Sequence, residues 1–422
     1  MFIRAQELRC VDEFLKLSRN KDEVCATKDY KTGKLEIDKS SITLASGTHE
    51  LSIIKMNGRL QVDMLNWFRR NENLTSYKLD YVAGYFIGDV VKSLVHNNDT
   101  TRIQTNNMTG LIVDSYIHFE EINYSSDYYK NGLKFKVINI NKDDKWFEIE
   151  GIETPQGNKV KWGLAKDDVT PKDIFRMTNE GSKSRAIVAK YCIQDCNLVH
   201  YLFNKVDVIT SIVEMSKLCS IPMRFLILRG QGIKLTSYVA KKCREKGVLM
   251  PVINKGSMDD GYEGAIVLEP KCGLYLDEAV SVVDYASLYP SSMLSENLCP
   301  KSKVWVKIYD LAGNLIQEQG IKDENGGFKY DNLTGREYVD IRFDTYRYVR
   351  KTPKSKAEKV LSGYKVCRYV QPKDDEKSIM PSILQELLKA RKDTRKLIPQ
   401  TQDDFIKNVL NQRQLAYKVT AN

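Results

Sequence analysis

Apolar and polar residues along this 422-residue chain change period several times. Apolar residues at helical spacing predict an amphipathic helix from Ala5 to Leu17, followed by strand-like pieces such as "ELSIIKM". "SYKLDYVAGYFIG" predicts a helix with Leu79, Val82, Tyr85 and Phe86 as its apolar stripe. Alternation in "LIVDSYIHFEEI", "KFKVINI" and "KWFEIEGIE" predicts short strands and turns over 110–165. "SRAIVAKYCIQDCNLVHYLFNKV", residues 184–206, predicts a strong helix, with more helix to about residue 247. From Tyr262 the pattern turns to strands, and "SVVDYASLYPS" ends a greasy run on Asp284 before a hydroxyl-rich turn. β-like segments continue over 303–350, separated by "AGN" and "ENGG". "KSIMPSILQELLKARKDTRKLI" is helical again, with Ile379, Ile383, Leu384, Leu387 and Leu388 on one side. Pro399 breaks it. Thr401 and Asp404 suit a capping box for a last helix, giving an antiparallel helical hairpin.

The length allows two or three domains, and an apolar fraction of 42% fits a globular chain. No run of eighteen apolar residues occurs, so no membrane span is expected. No apolar signal core follows Met1-Phe2-Ile3-Arg4, so secretion is not expected. The nine cysteines form no CxxC pair, and Cys192 and Cys196 lack the His or Cys cluster of a zinc site. Only four histidines are present. The net charge is +10, and residues 342–396 hold six Arg and ten Lys against seven acids, nearly the whole excess. Such a stretch is the footprint of a polyanion partner, or simply a solvated basic face.

Two constellations carry candidate chemistry. In the hairpin, Arg391 and Arg395 share a face, and Asn411, Gln414, Lys418 and Asn422 form a stripe on the second helix. Such a groove suits a triphosphate, because Arg grips phosphate oxygens bidentately and Lys adds a point charge. A single Arg pair alone is more often a solvated face. The second constellation is "DYASLYPS". A strand end would hold the Asp284 carboxylate at a fixed point. Backbone N–H groups from Tyr285 to Leu288 would face an anion, and Tyr289 would stand as a wall beside the sugar.

"VVDYASLYPS" resembles the first palm motif of family B (α/δ-like) DNA polymerases, and "LLKARKDTRK" resembles their fingers helix. "RQLAYKVTAN" is similar to the start of their second polymerase motif. "YEGAIVLEP" resembles the element between the exonuclease and polymerase parts, and "YCIQDCNLVHYL" the third exonuclease motif, as Tyr191 and Asp195. "GRLQVDMLNWFRRNENLTSYKLDYVA" resembles the segment before that motif. "YVRKTPKSK" and "KVCRYVQPKDDEKSIMPSIL", residues 348–356 and 365–384, look most like polymerases of large cytoplasmic DNA viruses.

The resemblance implies an α/β multidomain fold. Residues 1–215 would be part of a ribonuclease-H-like 3′→5′ exonuclease domain, 216–375 linker helices and a β-rich part of the palm, and 376–422 the helical fingers. It implies two-metal nucleotidyl transfer from dNTPs onto primer–template DNA, with Mg²⁺ as cofactor. Asp284 would bind metal with help from the Tyr285 carbonyl. Ser287 and Leu288 would offer N–H groups to the triphosphate, and Tyr289 would gate against a ribose 2′-OH. Arg391, Arg395 and Lys418 would hold phosphates, and Asn422 would line the nascent pair. Tyr262 and Gly264 would contact DNA. Asp195 would be an exonuclease metal ligand with Tyr191 beside it. The implied setting is intracellular, a viral factory in host cytoplasm or the nucleus, with a sliding clamp among the possible partners.

The pattern also breaks. The family's Asp-Thr-Asp motif occurs nowhere in the sequence. The Asp-x-Glu and second exonuclease motifs do not occur upstream of Tyr191, and the one Asp-x-Glu, Asp374 to Glu376, reads as a charged loop. The expectation is a stretch running from within the exonuclease to within the fingers, inactive in isolation. A split or intein-interrupted gene with a complementary fragment, a partial sequence, and a non-catalytic DNA- or nucleotide-binding fragment are the alternatives.

Overall fold

The helical spacing at the start of the chain does not yield one helix. The computed structural model describes residues 2–44, 47–166, 169–250, 260–262, 267–350, 352, 355, 358–373 and 376–422. Where a single helix from Ala5 to Leu17 was expected there are two, α1 (Phe2–Glu7) and α2 (Val11–Phe14). Arg9 between them has a φ of 56°, the left-handed region that an L-residue cannot continue as a helix. The chain divides into two compact units, Met1–Ile209 and Thr210–Asn422.

In the first unit two small antiparallel hairpins follow α2. They pair β1 (Thr27–Lys28) with β2 (Leu35–Glu36), and β3 (Asp38–Leu44) with β4 (Gly47–Ile53). The Asp63 side chain caps α3 (Met64–Asn71) by accepting from the Leu65 and Asn66 N–H groups. In α4 (Leu79–Phe86) the buried residues are Val82 and Ala83. Tyr85, expected on the apolar stripe, is 63% exposed.

Alternation then builds an eight-stranded antiparallel sheet. Its strands are β5 (Gly88–Val90), β6 (Ser93–Asn97), β7 (Thr100–Gln104), β8 (Tyr116–Ile122), β9 (Ser126–Tyr128), β10 (Phe135–Asn141), β11 (Trp146–Glu150) and β12 (Lys159–Ala165). The order is β5-β12-β8-β10-β11-β7-β6, with β9 on β8. Only Val91 and Lys92 separate β5 from β6. The Val91 N–H donates to Val160 O and the Lys92 N–H to Gln104 O. One continuous strand therefore joins both ends of the order, and the sheet closes into a barrel, which removes its edges. Ile103, Ile117, Phe119, Val137, Phe147, Ile149 and Trp162 fill the interior. Trp162 donates its Nε1–H to Thr105 Oγ1 at 3.0 Å, so the buried indole is satisfied. At the closure Gly88 lies against β12, where a Cβ would sit 2.1 Å from the Trp162 carbonyl oxygen.

Helices follow: α5 (Pro171–Glu180), with a Thr170–Asp173 capping box, and α6 (Ser182–Lys205). The division between units falls within α7 (Val208–Cys219). The second unit continues with α8 (Met223–Leu228) and α9 (Gly232–Glu245). Its five-stranded antiparallel sheet has β13 (Asp260–Tyr262), β14 (Lys303–Tyr309), β15 (Leu315–Gly320), β16 (Tyr338–Val349) and β17 (Glu358–Val370), in the order β13-β16-β17-β14-β15. Residues 281–284, expected as a strand, belong to none of the described sheets. Val282 and Val283 are 91% and 89% exposed. Hydrophobic sequence alone does not make a strand without a neighbour to complete its hydrogen bonds.

Helix α10 (Leu288–Ser295) packs on α11 (Ile379–Leu397), and α11 pairs with α12 (Asp404–Ala421) as the expected hairpin. Ile383, Leu384 and Leu387 are its buried stripe. The cap of α12 is Asp403, whose carboxylate accepts from the Ile406 N–H at 3.0 Å, rather than Thr401. Thr401 instead donates its hydroxyl to Leu397 O. Two ionic anchors hold the hairpin. Arg413 pairs with Glu214 of α7 at 2.7 Å, and Glu386 takes Lys242 of α9 and its C-cap Lys246 at 2.9 and 3.1 Å. Partial burial pushes the Glu386 carboxyl up, and hydrogen bonds from both lysines overcome this and hold it below its usual value of 4.5.

Gly88→Ala is expected to destabilise the first unit by roughly 1–3 kcal/mol through overpacking, read from the midpoint of urea unfolding. A depressed carboxylate contributes stability above its unfolded pKa and loses it as pH falls through the folded value. The second unit should therefore lose stability below about pH 4.5, and Glu386→Gln should flatten that part of the pH–stability curve. An unchanged curve in the variant would contradict the anchor.

Candidate functional site

Two sets of expected site residues lie in the two units, and each is built locally. In the second unit, Asp284 sits in the irregular exposed segment before α10. Tyr285 and Tyr289 are 76% and 74% exposed. Ser287 is the N-cap of α10 and takes a left-handed conformation, φ 54° and ψ 55°. That conformation is costly for serine. It turns the chain into the helix, so the Leu288 and Tyr289 N–H groups start α10 without intrahelical acceptors. The Ser287 side chain makes no capping bond. A helix start of this kind leaves N–H groups at Leu288 and Tyr289, whereas the sequence pattern places them from Tyr285 to Leu288.

The hairpin supplies the cations. Arg391 is half-buried and donates its Nε–H to Gln414 Oε1 at 3.2 Å, joining α11 to α12 at that level. In antiparallel helices, Arg395 and Lys418 then lie on opposite sides of this contact, each about 6 Å along the axis. Both are exposed, as is Asn422. The result is a cationic stripe roughly 12 Å long, with an amide holding the central guanidinium. Among the described residues, no hydrogen bond or ion pair links this stripe to Asp284–Tyr289. Gly264 lies outside the described residues. For Tyr262 only the backbone is described, paired with Thr345. Asp374 also lies outside them.

In the first unit, Tyr191 and Asp195 are one turn apart on α6 and do come together, around a residue that the sequence did not single out. Lys166, just after β12, places its Nζ 2.9 Å from Asp195 Oδ2 and 4.6 Å from the centre of the Tyr191 ring. The lysine backbone is pinned as well. Its N–H donates to Asp80 Oδ1 at 2.6 Å, and its carbonyl accepts from Lys134 Nζ at 2.7 Å. Burial pushes the Lys166 ammonium down, but hydrogen bonds to Tyr191 and Asp195 outweigh this and raise it. Asp195 Oδ1 is buried with no hydrogen-bond partner. No sequence signal pointed to Lys166, which follows an apolar strand and lies 29 positions before Asp195.

Among the described residues, no group of three or more His, Cys, Asp or Glu is placed to hold a metal ion. At Asp284 a single exposed carboxylate stands without a second. At Asp195 a lysine already neutralises one oxygen. The described residues by themselves therefore do not make up a two-metal centre. No described helix is long and apolar enough to cross a membrane.

Comparison with known proteins adds identity. The model of DNA polymerase family B matches residues 221–422, and that of the DNA polymerase family B exonuclease domain matches residues 8–82. The closed barrel lies between the two matches. A DNA polymerase of Phaeocystis pouchetii virus is 53% identical over 427 residues, covering 100% of this chain and 41% of that protein. One of Pyramimonas orientalis virus is 36% identical over 471 residues, covering 100% of this chain and 34% of that protein. The chain thus spans well under half the length of these relatives. A solved family B DNA polymerase from the archaeon Pyrobaculum calidifontis shares 20% identity over 60% of this chain and 26% of its own, at a TM-score of 0.37. That likeness is too slight to argue from. With one family matched in both units, and viral polymerases aligned along its whole length, the chain belongs to DNA polymerase family B.

Proposed function

We propose that the chain is part of a template-directed DNA polymerase with a linked 3′→5′ exonuclease, and that its own share of the work is to bind and orient the incoming nucleotide. Family B polymerases act on DNA and dNTPs, and they and their exonuclease domains use divalent metals. The observation that carries the reading is the stripe on α11 and α12, with Arg391 held by Gln414 between Arg395 and Lys418. Phosphoryl transfer depends on positioning and charge neutralisation, and three cations on a rigid hairpin supply both for a triphosphate. In this reading the Ser287–Leu288 turn offers N–H groups to the same phosphates, Tyr289 lies beside the sugar, and Asn422 lines the nascent pair. Tyr262 and Gly264 contact DNA.

Mg²⁺ would supply charge neutralisation at the reacting phosphate, with Asp284 as one ligand and Asp195 as one in the exonuclease. Neither carboxylate has the companions such a centre requires among the described residues. This favours a second reading for the chain by itself: a nucleotide- and DNA-binding piece, inactive alone, that works with a complementary polymerase fragment. The domain roles follow the same reading, with 1–215 contributing to the exonuclease, 216–375 to linker and palm, and 376–422 to the fingers. A sliding clamp and replication in a viral factory or nucleus are further elements of the proposal.

The test is equilibrium binding of a fluorescent dNTP to the whole chain. Arg391→Ala should weaken binding about 10- to 100-fold, since it removes a charge-assisted hydrogen bond to phosphate. Asp195→Ala, in the other unit, should leave it unchanged. Equal affinity of Arg391→Ala and the unaltered chain would exclude the stripe as the triphosphate site.

A further inference from the structure

The five-stranded sheet of the second unit has two unlike faces. Register places Ile341, Cys367 and Val306 on one face, and of these Cys367 and Val306 are buried. The other face carries rings and cations in rows across the strands. Asp344, Tyr364 and Tyr309 form one row, and Arg342, Val366 and Lys307 the next. Tyr309 and Tyr364 stack with centroids 4.8 Å apart and planes 12° from parallel. The Arg342 guanidinium lies 3.8 Å from the Tyr364 ring centre. Further along, Lys359 places its Nζ 3.9 Å from the centre of the Tyr346 ring. Tyr346 follows Arg342 by four residues on β16, about 13 Å along the strand.

The charges on this face are sorted. Towards the start of β16, Arg368 is held by Asp340 and Asp331, at 2.5 and 3.0 Å, and Lys322 by Glu318. Arg342, two residues past Asp340 on β16, and Lys359, on β17 opposite Tyr348, are exposed, and among the described residues neither is within ion-pair distance of a carboxylate. Each lies over an aromatic ring instead. Paired aromatic and cationic groups of this kind suit a strand with unstacked bases and a charged backbone. A base can lie on a ring or on a guanidinium plane, while the cations take phosphates. A duplex hides the flat faces of its bases and offers only the second contact.

We propose that this face is a binding site for single-stranded DNA, with bases on the Tyr364–Arg342 and Tyr346–Lys359 platforms and phosphates on the two cations. It is separate from the triphosphate stripe and does not rest on the polymerase reading. It gives the basic excess at 342–396 a specific address, on one face of a hairpin.

The test is anisotropy of a labelled oligothymidylate titrated with the whole chain at several salt concentrations, beside a duplex of equal length. Arg342→Gln combined with Lys359→Gln should weaken single-strand binding about tenfold or more. It should also reduce the slope of log K against log salt by roughly 1.4, the value for two phosphates. Tyr346→Leu should weaken binding roughly tenfold with the slope unchanged. Both variants should leave dNTP binding unaltered, and Arg391→Ala should leave oligothymidylate binding unaltered. Unchanged oligothymidylate affinity in a double variant that melts like the parent would overturn the proposal. So would an equal loss on the duplex, which would mean charge without base stacking. Loss on Arg391→Ala alone would place the strand on α11 instead.

Discussion

A buried carboxylate needs a partner, and the second unit is organised around one that has it. Glu214 is 6% exposed and is matched by Arg413 from the last helix. Hydrogen bonding to Glu214 outweighs partial burial and raises the Arg413 guanidinium above its ordinary value. Removing either partner would leave a desolvated charge, so the pair fixes the rotation of α12 about its axis. Arg413 is one residue before Gln414, about 100° around the helix. With Arg413 turned to α7, Gln414 is left to meet Arg391, and Lys418, one turn on, shares its stripe. One cation serves as the anchor, and that choice leaves Arg395 and Lys418 exposed. Lys242 and Lys246 act in the same sense on α11 through Glu386.

The first unit shows the same rule at a candidate site. The Asp195 carboxylate, beside the Tyr191 ring, is balanced by the chain's own Lys166. Lys166 arrives there because the barrel's last strand ends beside α6, and its backbone is tied to Asp80 and Lys134. The barrel therefore has a local structural consequence for Tyr191 and Asp195, although it lies between the stretches that the family models match.

The long periodic helices were legible in sequence because their signals are local. Ser182–Lys205, Ile379–Leu397 and Asp404–Ala421 carry strong stripes or clear breaks. The Arg391–Gln414 face could be read from spacing alone. The strand expected at 281–284 is absent from the described sheets, because strand formation depends on a partner distant in sequence that its apolar run does not reveal. The left-handed turn at Arg9 cannot be read from apolar spacing. Asp403 captured the cap of α12 by standing two residues closer to the helix than the expected Thr401. Strand pieces over 110–165 were visible, but closure of the barrel hangs on two backbone bonds, from Val91 and Lys92, that no composition encodes. Lys166 was invisible for the same reason: its partners are 25 and 29 positions away.

We propose that the hairpin of α11 and α12 binds nucleotide, while among the described residues Asp284 and Asp195 stand without the companions of a metal centre. The most direct measurement is primer extension by the purified chain with Mg²⁺ and all four dNTPs, beside an Asp284→Ala control. The account predicts no extension by either protein. Extension by the parent chain that Asp284→Ala abolishes would mean that a working metal site forms around Asp284, and would contradict it.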